Sequence, residues 1–244
     1  MRGMMFAALF AALTAAVSPI RIPLGFTPVP ITLQTLMVLL SGAILGARYG
    51  ALSQVLYLSV GILGLPVFAG GSSGLPVLFG PTGGYLLSYP IAAFCIGWLS
   101  EKKRAKGANV FSMTLILLLI AIAYCDLLFG LGLMKFDNKP LSDILSFESR
   151  ILWIAASAAL IGGLLLLLFY LKKKKRVDLH FLPAMFSGTI IIYIMGAVYG
   201  KIVTGLPWMA VLAGWVLPFI IGDTIKLLAA SIIASRFPRD KYFR

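Results

Sequence analysis

Eight long apolar runs, separated by short segments with glycine, proline or charge, dominate this sequence. They span residues 4–20, 31–47, 49–65, 84–100, 109–134, 151–171, 182–204 and 208–235. Only helices and closed barrels satisfy the backbone in lipid, and a barrel would need alternating rather than continuous apolar residues. The sequence therefore predicts an all-α polytopic membrane protein with a single membrane domain over residues 1–244. The composition agrees, since 60% of the residues are hydrophobic and only 12% are charged.

Most of the 21 lysines and arginines lie in three clusters that directly follow apolar runs, at 102–106, 172–176 and 236–244. Such clusters are typical of cytoplasmic loops. Eight spans that start from a cytoplasmic N terminus put all three clusters on the cytoplasmic side. We therefore predict an N-in/C-in, multi-pass protein of the cytoplasmic (inner) membrane, with a cytoplasmic tail at 237–244. The net charge of +13 then reflects contact with acidic membrane lipids rather than with nucleic acid.

The last apolar run contains two charged side chains, Asp223 and Lys226. A charge at the middle of a membrane helix costs roughly 2.5–3.5 kcal/mol, and residues three apart lie on one helix face. Together the pair offers an acceptor-only group and a donor-only group. These two groups are suited to binding a small polar ligand with an anionic end. The alternative is an internal ion pair that only holds two helices together.

Two loops on the predicted outer side have unusual compositions. The loop 21–30 contains three prolines, which exclude helix and favour an extended path. The loop 64–84 is rich in glycine and contains a near repeat, GLPVFAG at 64–70 and GLPVLFG at 74–80. Because its other residues are mostly apolar, we expect a compact loop that folds onto the helix bundle with its backbone near a ligand. A re-entrant structural plug is the alternative.

In the first run, alanines recur at every fourth residue in two parallel series, Ala7, Ala11 and Ala15, and Ala8, Ala12 and Ala16. Small residues at this spacing let another helix approach closely in lipid. The pattern predicts docking to a separate membrane subunit, with ordinary internal packing as the alternative.

The sequence carries no signature of a cofactor, a metal site or a catalytic set. Cys95 and Cys125 lack metal-ligand spacing, His180 is the only histidine, and there is no phosphate-binding loop for ATP. We therefore expect no enzyme activity, and any energy input would come from partner chains or an ion gradient. A membrane-embedded enzyme and a purely structural subunit are the alternatives from other classes.

Five ordered blocks resemble one known family. They read FTPVPITLQTL at 26–36, LGARYGALSQVLYL at 45–58, GLPVFAGG at 64–71, GPTGGYLLSYPIAA at 80–93 and GLPWMAVLAGWVLPFIIGDTIK at 205–226. Together they resemble the BioY family, the biotin-specific substrate-binding (S) components of energy-coupling factor (ECF) transporters. The similarity covers 1–106 and 182–236. Residues 107–181 look like an insertion with two extra transmembrane spans.

The resemblance implies a six-helix S-component bundle, here with two extra helices, that holds biotin near the outer face under the two loops. It also implies partners, namely an ECF coupling transmembrane subunit and ATPase subunits. The insertion contains an acid, Asp126, to which no family role transfers. Asp126 motivates an alternative within transport, a stand-alone biotin facilitator or a proton-coupled carrier.

The implied substrate-binding residues are those that match the family motifs, Asp223, Lys226, Tyr85, Thr32 and Gln34. The chemistry of biotin adds an apolar wall for its thioether ring and chain, formed by Phe68, Leu65 and Tyr85. It also adds backbone N–H groups of Gly83 and Gly84 for the carboxylate. Lys226 is compatible with either the ureido ring or the carboxylate, and Arg21 is a second candidate for the carboxylate.

Overall fold

The computed structural model describes residues 1–25, 27–102, 120, 147–173 and 181–237. Its helices are, in chain order, α1 Arg2–Val17, α2 Gln34–Ile62, α3 Leu75–Phe79, α4 Gly83–Lys102, α5 Phe147–Lys173, α6 Leu182–Thr204, α7 Trp208–Trp215 and α8 Leu217–Arg236. Two short strands, β1 Arg21–Ile22 and β2 Ile31–Thr32, and a 3-10 turn at Ala69–Gly71 complete the described elements. Cys125, Asp126, His180, most of the predicted span 109–134 and residues 238–244 of the tail lie outside the described residues.

Helix α2 consists of two antiparallel legs that meet at Gly46. The φ of 82° and ψ of −177° at Gly46 fall in a region that is essentially restricted to glycine. In a straight helix, the 23 positions from Gln34 to Tyr57 would span about 35 Å, yet their side chains are hydrogen-bonded at 2.8 Å. The apolar runs at 31–47 and 49–65 therefore form the two legs of one hairpin.

By length and composition alone, three stretches of the described chain qualify as membrane spans, namely Gln34–Ile62 with its two legs counted together, Leu182–Thr204, and Trp208–Arg236 with α7 and α8 counted together. Arg2–Val17 and Ile154–Leu166 are shorter apolar helices. The predicted helical architecture is confirmed in its coarse form, a mostly helical chain with candidate membrane spans. The total of eight spans, the N-in/C-in orientation and the boundaries of the insertion stay predictions.

The last apolar run contains a break that its pattern did not predict. Val216, with φ −121° and ψ −60°, separates α7 from α8, and Pro218 stands in the first turn of α8. Proline has no N–H to donate but is tolerated at this position, where helix N–H groups lack intrahelical partners. The run is thus divided into a short helix, α7, and a longer helix, α8, that carries the charged pair.

The helices pack in sequence, α1 on α2, α2 on α4 and α4 on α6, while α8 returns to contact α2. Gly97 allows the close contact of α4 with α2, because a Cβ there would overlap the backbone at Gly46 and Ala47. From the predicted insertion, α5 contributes Leu160 and Leu164 to the core beside α8.

Both unusual loops lie against the bundle. In the first, β1 and β2 pair antiparallel, with Arg21 opposite Thr32, and the residues described between them, 23–25 and 27–30, are not helical. In the second, Phe68 and Leu78 occupy the same position of the near repeat, and both are buried. The predicted compact loop is therefore confirmed, because each copy directs one large apolar side chain into the core.

The alanines of α1 lie on two different faces. Ala7 and Ala11 are buried, with exposed fractions of 0% and 8%, and Ala15 is half-buried, since this face packs on α2. For Ala7 and Ala11 the alternative of ordinary internal packing applies, because their own chain covers them, whereas Ala15 is only partly covered. Ala8 and Ala12 are exposed, so docking stays a prediction for their face.

Candidate functional site

A cavity of about 160 Å³ lies where the two loops meet α2, α4 and α8. Its lining combines apolar side chains with a few polar and charged ones. The lining residues are Arg21, Pro28, Val29, Pro30, Thr32, Gln34, Thr35, Phe68, Ala69, Ser72, Val77, Thr82, Tyr85, Leu86, Tyr89, Phe219, Asp223 and Lys226. A concave, largely apolar site with few polar groups is typical of small-molecule binding.

A polar cluster centred on the Asp223 carboxylate forms one part of the lining. Lys226 Nζ lies 2.7 Å from Asp223 Oδ1 and donates to Thr35 Oγ1 at 3.1 Å. Thr35 in turn donates to Asp223 Oδ1 at 3.0 Å, and the Tyr193 hydroxyl donates to Oδ2 at 2.9 Å. Both carboxylate oxygens therefore accept hydrogen bonds from side chains on three helices, α2, α6 and α8, and Oδ2, with one donor, can accept a second.

A second polar network is built around the buried amide of Gln34. Its nitrogen donates to the Tyr57 hydroxyl at 2.8 Å. Its oxygen accepts from the Tyr89 hydroxyl at 3.1 Å and from Thr32 Oγ1 at 3.2 Å. Tyr57 then donates to the carbonyl of Val67 at 3.1 Å. The network connects both hairpin legs, α4, β2 and the glycine-rich loop beside the cavity.

Aromatic side chains form the apolar wall. Phe68 is 0% exposed and fits against Gly61, where a Cβ would overlap its ring. Tyr85 packs against Phe219, with ring centroids 6.4 Å apart, and its hydroxyl donates to the carbonyl of Trp215. Rings of this kind offer flat apolar surface to a ring-shaped ligand.

The predicted substrate-binding residues divide into two groups. Six of them line the cavity together, namely Asp223, Lys226, Tyr85, Gln34, Thr32 and Phe68. Gly83 and Gly84 begin α4 but are not lining residues. A Cβ at Gly83 would overlap the Leu78 carbonyl and one at Gly84 would overlap Tyr199, so both allow close packing. Leu65, predicted for the apolar wall, is exposed outside the cavity.

Sequence reasoning missed several polar residues of the site, among them Thr35, Tyr89 and Tyr193. Thr35 follows Gln34 directly in the block FTPVPITLQTL at 26–36, and Tyr89 lies one helical turn after Tyr85. Both residues could have been predicted from their spacing to Gln34 and Tyr85. Tyr193 stands among isoleucines in an apolar run, and only the packing of α6 on α8 brings it to Asp223.

The charged groups at the site are paired with each other beside apolar side chains. In the described part of the chain, no group of three or more histidines, cysteines, aspartates or glutamates could hold a metal ion. Asp223 and Lys226 compensate each other's charge, with side chains only 8% and 11% exposed. The site therefore offers hydrogen-bond donors and acceptors beside an aromatic wall, with residues of both loops in its lining.

Comparison with known proteins gives one consistent result. A family model described as the BioY family matches residues 1–149 and 150–241. The biotin transporter BioY of Thermotoga maritima is 49% identical over 105 residues, which are 43% of this chain and 61% of that protein. The biotin transporter BioY of Rhizobium etli is 37% identical over 147 residues, 55% of this chain and 79% of that protein. The match to the Thermotoga protein thus spans less than two thirds of its length.

A solved structure supports the fold. A crystal structure of the S-component for biotin from an ECF-type ABC transporter superimposes with a TM-score of 0.59, covering 99% of this chain and 95% of that one at 21% identity. At this identity the likeness concerns the architecture of the bundle. Since the family model covers nearly the whole sequence, the resemblance seen in the five sequence blocks is confirmed, and the chain belongs to the BioY family.

Proposed function

We propose that this chain binds biotin in the cavity described above and is the substrate-capture component of an ECF-type transporter in the cytoplasmic membrane. The observation that carries the proposal is the cluster of Asp223, Lys226 and Thr35 at an aromatic-lined cavity, in a chain of the BioY family. The relatives named above are biotin transporters, and the superimposed structure is an S-component for biotin.

The polar cluster matches the ureido ring of biotin. That ring presents N–H donors and a carbonyl acceptor, so it needs an acceptor and a donor on the protein side. Asp223 supplies the acceptor, and Lys226 supplies the donor from a neighbouring position on the same face of α8. Because Thr35 and Tyr193 already fix the carboxylate, little rotamer freedom is lost on binding.

The remaining parts of biotin match the apolar wall. Its thioether ring and valeryl chain carry no strong hydrogen-bonding groups, and Phe68, Tyr85 and Phe219 offer buried aromatic surface next to the polar cluster. Both Gln34 and Tyr89 border this surface. Their polar atoms already bond one another, so the floor of the cavity is not left with unsatisfied groups when biotin displaces water.

Energy for release on the cytoplasmic side would come from partner chains. We propose an ECF coupling transmembrane subunit and ATPase subunits as those partners. The exposed face of α1 with Ala8 and Ala12 is the surface we assign to the coupling subunit, because small residues allow close helix contact in lipid.

The test is equilibrium binding of labelled biotin to the purified, detergent-solubilised chain, with riboflavin and thiamine as competitors. The proposal predicts saturable binding at a stoichiometry near one per chain, displaced by unlabelled biotin and not by the two other vitamins. Absence of saturable biotin binding by a monodisperse, helical preparation would refute it.

A further inference from the structure

The cavity has an excess of one positive charge. Among its described lining residues, three are charged, Arg21, Asp223 and Lys226. Asp223 and Lys226 form an ion pair at 2.7 Å, which leaves the charge of Arg21 uncompensated. A site with one excess positive charge favours a ligand with a single negative charge.

The two cationic side chains, Lys226 and Arg21, differ in the hydrogen bonds that they already make. Lys226 already donates to both Asp223 and Thr35, and its side chain is only 11% exposed. Arg21 is exposed, and its guanidinium has no hydrogen bond or ion pair within the described residues. A guanidinium carries its donors in a planar fork that matches both oxygens of a carboxylate. Arg21 is therefore the better equipped of the two to receive an anion.

Two loops hold Arg21 at the mouth of the cavity. Its backbone pairs with Thr32, itself a lining residue, across the β1–β2 ladder. Its guanidinium lies against Gly70, where a Cβ would overlap it. Gly70 also has a φ of +71°, a conformation that glycine adopts without strain. The arginine is thus seated between the first loop and the glycine-rich loop.

We propose that Arg21 binds the ligand's carboxylate at the mouth of the cavity, while the cluster of Asp223, Lys226 and Thr35 binds the polar ring at the other end. The inference rests on the proposed biotin function and adds an orientation to it. It makes Arg21 the residue that selects a monocarboxylate over an uncharged analogue.

The experiment compares two ligands on two variants. Biotin and biotinamide share the ring and chain, but the amide is uncharged. We expect the wild-type chain to bind biotin about tenfold more tightly than biotinamide, since the contact is charge-assisted but solvent-exposed. Arg21→Gln should lower biotin affinity to the level of biotinamide and leave biotinamide affinity unchanged. Arg21→Lys should restore part of the difference, because it keeps the charge without the fork.

Arg48→Gln is the matched control, since Arg48 is also exposed but is not a lining residue; it should change neither affinity. If Arg21→Gln keeps the full preference for biotin, or weakens both ligands equally, the assignment of Arg21 is overturned while biotin binding itself stands. If Lys226→Gln rather than Arg21→Gln removes the preference, the carboxylate contacts Lys226. A wild-type chain that binds neither ligand would refute the proposed function together with this inference.

Discussion

At the scale of single residues, the Asp223 carboxylate shows how this chain carries a charge inside a helical membrane domain. A buried charge is costly unless it is paired and hydrogen-bonded, and Asp223 meets both conditions through Lys226, Thr35 and Tyr193. Its partners come from three helices, so the position of the carboxylate depends on correct assembly of the whole site. A ligand then meets an acceptor whose geometry is already fixed.

Tyr193→Phe removes one of these hydrogen bonds without changing side-chain volume appreciably. We expect biotin affinity to fall by about tenfold, because the lost bond is to a charged group and Asp223 Oδ2 gains freedom to reorient. Isothermal titration calorimetry on the purified variant measures the change. Tyr49→Phe is the control, since Tyr49 is not a lining residue. Equal affinities for Tyr193→Phe and wild type would show that Tyr193 does not position the carboxylate.

Some of these site residues could be predicted from the sequence and others could not, for physical reasons. Asp223 and Lys226 were visible because a charge in an apolar run is expensive and needs an explanation. Tyr193 was not, because a tyrosine has an apolar body and is tolerated in many membrane-helix positions. Gly83 and Gly84 were assigned to the ligand because glycine exposes backbone, and the structure adds a second use, since they admit neighbouring atoms of Leu78 and Tyr199. Only tertiary contacts distinguish these two uses of glycine.

At the scale of elements, Gly46 turns one apolar stretch into a helical hairpin. The sequence predicted two segments but ended the first at residue 47, next to the charged Arg48. The reversal lies at Gly46 instead, because the required φ of 82° and ψ of −177° strain any residue with a Cβ. The break at Val216 was missed for the opposite reason. The apolar pattern continues across it, and Pro218 alone indicated it.

Gly46→Ala should therefore destabilise the hairpin by about 1–3 kcal/mol, the cost of placing a non-glycine residue in this conformation. Thermal unfolding in detergent, followed by the loss of helical circular dichroism, measures the destabilisation as a lower midpoint temperature of unfolding. Gly162→Ala is the matched control, because a Cβ at Gly162 has nothing within 4 Å and alanine favours helix over glycine. Unfolding midpoints that do not differ between Gly46→Ala and wild type would contradict the assignment of the turn to Gly46.

At the scale of the whole molecule, the two faces of α1 separate internal packing from the proposed interface. The face with Ala7 and Ala11 is covered by this chain itself, whereas the face with Ala8 and Ala12 is exposed. The alanine spacing predicted close helix contact but could not identify the partner, because both series share the same period. The burial of one series now restricts the proposed docking to the other.

Ala12→Leu and Ala11→Leu should consequently have opposite effects. Ala12→Leu should reduce co-purification with the coupling subunit and leave thermal stability within about 0.5 kcal/mol of wild type. Ala11→Leu should lower the stability of the isolated chain by about 1–3 kcal/mol, because the added atoms overfill a packed contact. Undiminished co-purification of Ala12→Leu would rule out this face as the docking surface.

The central claim, that the cavity around Asp223 and Lys226 is the biotin site, is tested most directly by the binding of labelled biotin to wild type, Lys226→Ala and Lys201→Ala in parallel. Lys201 bonds the Leu206 carbonyl and is not a lining residue, so it controls for loss of a lysine on the neighbouring helix α6. All three proteins should be monodisperse on gel filtration. We predict saturable binding by wild type and Lys201→Ala. Biotin affinity should fall at least about 100-fold in Lys226→Ala, because this variant leaves the Asp223 charge uncompensated. Wild-type affinity in Lys226→Ala would contradict the account and place biotin elsewhere in the chain.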